Sequence, residues 1–127
     1  MKYIVETEKS VNEAVESVRE ATKKNGFGVL SVLDMTETMK AKGVDFGASC
    51  QILEVCNPKA AKDVLEKDIS ISMAMPCRIA VYSENNITKI GTVKPTAMLV
   101  NLSDIESIRP IAEEVERTMI KIVDEAK

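Results

Sequence analysis

Apolar residues recur along this chain with two periods, and the places where the period changes mark its elements. Tyr3, Ile4 and Val5 make a short apolar run from Lys2 to Glu6 that predicts a strand. Ser10-Val11-Asn12-Glu13 then has the capping-box pattern. Its Ser hydroxyl can take the third backbone amide while the Glu reaches back to the cap. Val11, Ala14, Val15, Val18 and Ala21 follow at helical spacing, and Asn25-Gly26 supplies a left-handed stop. Gly28 to Leu33 reads as a largely buried strand. Asp34 to Gly43 reads as a short helix, with Met35 and Met39 on one side and Glu37 and Lys40 outward.

Phe46 to Val55 is the next expected strand. Asn57-Pro58 places a cap residue before a proline at the first helical position, opening a helix to Lys67 that turns Ala61, Val64 and Leu65 inward. Asp68 to Pro76 reads as an irregular connection. Cys77 to Ser83 and Ile87 to Val93 form a hairpin around Glu84-Asn85-Asn86, since Asn tolerates positive φ in tight turns. Pro95 to Leu102 fits an extended connection or one helical turn. Ser103-Asp104-Ile105-Glu106 repeats the capping box, and Ile105, Ile108, Ala112, Val115, Met119, Ile122 and Val123 form one stripe. Pro110 inside it either kinks that helix or starts a second one.

The resulting order, β-α-β-α-β-α-β-β-α, predicts an α+β fold. Helices cover one face of a mostly antiparallel sheet in a two-layer sandwich. The other face then needs water or a cover, and a second copy of the chain is the simplest cover if that face is apolar. With 127 residues and no internal repeat or linker, a single domain over 1–127 is expected.

Composition narrows the chemistry. The 17 Lys and Arg against 20 Asp and Glu leave a net charge of −3, without the concentrated basic surface that nucleic acid requires. Only Tyr3, Phe27, Phe46 and Tyr82 are aromatic, too few for a base-stacking platform. No apolar run is long enough to span a membrane, and the early charges at Lys2 and Glu6 do not suit a signal peptide, so a cytoplasmic protein is expected. The absence of histidine excludes Ser-His-Asp and Cys-His catalytic groups, His-ligated metals and an imidazole switch. Any chemistry therefore falls to thiols, carboxylates, Lys or Arg.

Three cysteines do not suit a disulfide framework, and without Cys-x-x-Cys or His no metal site is expected. Cys50 shares strand parity with Ile52 and is expected in the core. Cys56 stands one residue before a helix cap, where exposed amides and the helix dipole favour a thiolate, with Lys59 as a further positive charge. A dry, inert thiol is the competing reading. Pro76 holds Met75 extended before the strand that opens with Cys77. Arg78 follows, either as an anion-binding fork or as a solvated side chain. The nine residues Asp68 to Pro76 reach far enough, when extended, to bring Cys77 back beside Cys56.

Cys56-Asn57-Pro58 followed by Met75-Pro76-Cys77-Arg78 resembles the Domain of Unknown Function 302 family. The resemblance extends to Asn25-Gly26-Phe27, to Ile52-Leu53-Glu54 and to Val81-Tyr82-Ser83-Glu84, across roughly the whole chain. It implies a curved sheet of the TBP-like type and a homodimer. TBP-like describes topology and carries no expectation of nucleic-acid binding.

The expected function is a small homodimeric binding or accessory protein. It holds an apolar or anionic small molecule near Cys56, Asn57, Pro58, Pro76, Cys77 and Arg78, and these residues specify no cofactor. One alternative is a thiol-dependent redox or transfer enzyme, with Cys56 attacking and Cys77 resolving. Another is a purely structural interaction module.

Overall fold

The computed structural model describes residues 1–99, 101–104 and 106–127; Val100 and Ile105 lie outside the described residues, and with Ile105 one position of the C-terminal stripe. The strands are β1 (Lys2–Thr7), β2 (Gly28–Asp34), β3 (Cys50–Cys56), β4 (Cys77–Glu84) and β5 (Ile87–Val93). They form a five-stranded sheet of order β1-β5-β4-β3-β2 in which every pairing is antiparallel. The helices are α1 (Val11–Lys24), α2 (Met35–Ala41), α3 (Pro58–Lys67), α4 (Pro95–Leu99) and α5 (Arg109–Ala126), with 3₁₀ turns at Ile69–Ala74 and Glu106–Ile108. No helix among the described residues is long and apolar enough to cross a membrane. The α+β architecture is the one the hydrophobic pattern predicts.

Local chemistry sets most boundaries. Ser10 Oγ accepts the Glu13 amide at 3.1 Å and Glu13 Oε1 accepts the Ser10 amide at 2.9 Å, completing the predicted capping box. The β4–β5 turn is Asn85-Asn86, with φ of 53° and 66°, the double positive φ that a two-residue hairpin needs. α5 opens at Arg109 with Pro110 in its first turn, so Pro110 starts the helix.

α1 and α5 cover one face of the sheet. Val15, Val18, Met119, Ile122 and Val123 from these helices meet Leu53, Val55, Ile79, Val81 and Ile90 from the central strands. A smaller cluster of Val64, Ile71 and Ile108 lies beneath α3 and α5, with Met75, Leu99 and Ile111 packed against it.

Three expectations are corrected and one open alternative is decided. Residues 46–49 are not strand, and β3 begins at Cys50. Phe46 is exposed there because no element covers the loop after α2. β2 is not largely buried: it is the sheet edge, and the register slips between Val29 and Ser31 to leave Leu30 as the extra, 61% exposed residue. Of the two readings of the segment after β5, the helical turn is the one found, as α4 opening at Pro95. Cys50 does share parity with Ile52, but that parity is the uncovered face, so Cys50 is half-buried outside the core.

Candidate functional site

The β3–β4 register answers whether the two cysteine motifs meet. Val55 pairs with Cys77, so Cys56 is one residue further along the neighbouring strand. Both thiols are free. They border a cavity of about 60 Å³ where the ends of β3 and β4 meet α3, the Ile69–Ala74 turn, α4 and α5.

The cavity lies at the seam between the two apolar clusters. Val55, Cys77 and Val115 wall it from the sheet side, and Val64, Ile71, Met75, Leu99 and Ile111 from the other. Ala60, Ala61, Ala74 and Ala112 keep it open, because their short side chains do not reach across. An outer groove shares Phe27, Asn57, Ala60, Ile111 and Val115 with it and adds Lys59 and Asp63 at the rim.

Asn57 lines the cavity with its polar capacity already used. Its Oδ1 accepts the amides of Lys59 at 3.1 Å and Ala60 at 3.3 Å as the N-cap of α3. Those are the amides that would otherwise stabilise a thiolate at Cys56. Burial accordingly pushes the Cys56 thiol above its ordinary value. Burial raises Cys77 as well, the neighbouring Cys56 adds to the rise, and Arg78 opposes it. Burial thus opposes the thiolate that the helix end would favour.

The remaining predicted residues divide. Pro76 lines the cavity beside Met75, which is extended at φ −106° and ψ 155°, and the peptide between them is cis. Pro58 sits at the first turn of α3 and is exposed, setting the helix entry without lining the space. Arg78 does not join the cavity. It lies on the uncovered face, paired across strands with Glu54 (Nε to Oε2, 3.7 Å), whose other oxygen accepts the Ser31 hydroxyl at 2.6 Å.

Sequence reasoning missed Met98, Ile111, Val115 and Phe27 as cavity walls. Only Phe27 stood near a motif, after the Asn25-Gly26 stop; the others come from distant helices. At the opposite end of β3, a polar hollow surrounds Cys50. There Gln51 Nε2 donates to Asn12 Oδ1 at 2.8 Å and the Cys50 amide donates to Thr36 Oγ1 at 3.0 Å. Burial, and then the charge of Asp34, raise the Cys50 thiol.

No curated protein matches the chain. Among solved structures it is similar to the crystal structure of an uncharacterized conserved protein DUF302 from Bacillus stearothermophilus. The two are 38% identical, with a TM-score of 0.92, over 99% of this chain and 98% of that one. The family model described as Domain of unknown function DUF302 matches residues 3–126, and the chain therefore belongs to that family.

Proposed function

We propose that the chain is a small cytoplasmic ligand-binding or accessory protein that works as a homodimer, with the Cys56–Cys77 cavity as its site. The observation that carries this reading is an apolar cavity bordered by two free thiols, each shifted upward by burial. A packed interior tolerates few such spaces, and this one is formed by a run of alanines where larger residues would fit. Its size admits a ligand of a few heavy atoms. A nucleophilic enzyme needs a thiolate, and both thiols are shifted the other way, so binding is favoured over transfer chemistry.

The uncovered sheet face supports the dimer. The register aligns Leu33, Ile52, Ala80, Gly91 and Ile4 in one row across all five strands. Ile4 and Leu33 are 42% and 44% exposed. Lys2, Arg78 and Lys89 are balanced on this face by Glu6, Glu54 and Glu84, so an identical face meets it without net repulsion. Its footprint, about 24 Å on a side, is roughly 550 Å². That approaches the ~800 Å² per partner of a standard interface.

Thermal denaturation against small alcohols, thiols, ketones and short carboxylates tests the cavity. A ligand at 100 times its Kd should add about 2.7 kcal/mol to stability. Ala61→Leu, which fills the space, should abolish that shift while leaving the fold intact. No shift with any of these classes would exclude a small organic molecule as the ligand.

A further inference from the structure

We propose that the cavity is a site for a soft monovalent metal ion of the Cu(I) class, held by the thiols of Cys56 and Cys77 and completed by the thioethers of Met75 and Met98. The assignment rests on the reading of this cavity as the binding site and names its ligand class. Apart from the Asn57 carboxamide, every side-chain heteroatom around the space is one of these four sulfurs. Asn57 is already committed to capping α3, which leaves a donor set made of sulfur alone.

The four donors come from four segments: the end of β3, the connection before β4, the start of β4, and α4. Tertiary structure gathers them; no sequence spacing does. From the register and ordinary strand dimensions, the Cα atoms of Cys56 and Cys77 lie about 6 Å apart. Strand alternation alone would turn Cys56 away from Cys77. β3 ends at Cys56, however, where the chain turns into α3, and both residues border the cavity.

Thiolate and thioether donors select Cu(I) over hard cations, and a surround without carboxylates, whose one side-chain oxygen caps α3, offers little to calcium or magnesium. Zinc is disfavoured because the described residues hold no metal-ligating group of three or more His, Cys, Asp or Glu. The volume decides against a larger guest. At about 60 Å³ the space is far below the ~300 Å³ at which pockets for ordinary organic ligands begin. Binding exchanges two S–H bonds for two Cu–S bonds and releases two protons to water. The thioethers donate lone pairs, and no atom changes oxidation state.

Anaerobic titration of the reduced full-length protein with Cu(I), against a chromogenic Cu(I) chelator, tests the assignment. One equivalent should be retained, with a sulfur-to-copper charge-transfer band in the ultraviolet. Cys56→Ser and Cys77→Ser should each weaken retention by about 100-fold or more, beyond what loss of an outer-sphere partner causes. Met98→Leu should weaken it less, and Cys50→Ser not at all. Circular dichroism of each variant establishes that it is folded. Failure of the folded wild-type protein to hold Cu(I), or full retention by a folded Cys56→Ser/Cys77→Ser double variant, would overturn the assignment. If small organic ligands still bind the folded protein, only the metal assignment falls and the cavity reading stands; if neither binds, both fall.

Discussion

Ile52 and Leu53 are neighbours on β3 and stand in two different solvents. Leu53 is fully buried beneath α1 and α5, while Ile52 is half-buried on the face that no helix covers. The same alternation runs through Ile79 and Ala80 on β4 and through Lys89 and Ile90 on β5. One face of the sheet is thus a closed core. The other combines a row of apolar side chains with a balanced border of charge. The lesson is that strand periodicity assigns residues to faces without saying which face is covered. Helix placement decides that, and with it the surroundings of each cysteine.

The largest effect should fall on the covered face. Leu53→Ala removes buried methyl groups where α1 and the sheet already fill the space, and should cost about 3 kcal/mol, read by urea denaturation. A loss below about 1 kcal/mol would mean that the two faces differ less than their packing indicates. Ile52→Lys on the uncovered face should leave the protomer folded and shift sedimentation from dimer to monomer. An unchanged sedimentation coefficient, with dimer retained, would remove this face as the interface.

Smaller still is the polar border. Arg78→Ala breaks a solvent-screened pair with Glu54 and should change stability by no more than about 0.5 kcal/mol. A larger loss would show that the Ser31–Glu54–Arg78 row stiffens the sheet.

The thiols carry the comparison into pH. Cys77 is on the core side, and its value is raised above the ordinary 9.0, first by burial. A raised folded-state pKa favours the protonated form. Its contribution to stability is therefore complete below about pH 9 and is lost as the pH climbs through the folded value. Alkylation at neutral pH should be slower at Cys77 than at a free cysteine and should accelerate as the solution becomes alkaline. Rates equal to those of a model thiol would place Cys77 in water.

Several features are readable in the sequence because their causes are local. A hydroxyl three residues before a glutamate closes the α1 cap, and the Asn85-Asn86 pair supplies both positive φ angles of the hairpin. Asn57 and Pro58 start α3 where they were expected to. The misses share a different cause. Phe46 has strand-like character but no neighbouring strand at its level, and Leu30 reads as core in a run that lies at the sheet edge. Cys56 was open between an available and a dry thiol, and the capping hydrogen bonds of Asn57 take two of the amides at that helix end.

The sequence by itself determined the element order, the caps, the tight turn and the exclusion of histidine chemistry. These depend on side chains interacting with backbone a few residues away, or on residues being absent altogether. Only the tertiary structure decided that Cys77 sits beside Cys56, that Arg78 faces away from both, and that Met98 from a distant helix lines the same cavity. Strand register and the packing of two apolar clusters set those positions, and both depend on contacts between residues far apart in the chain.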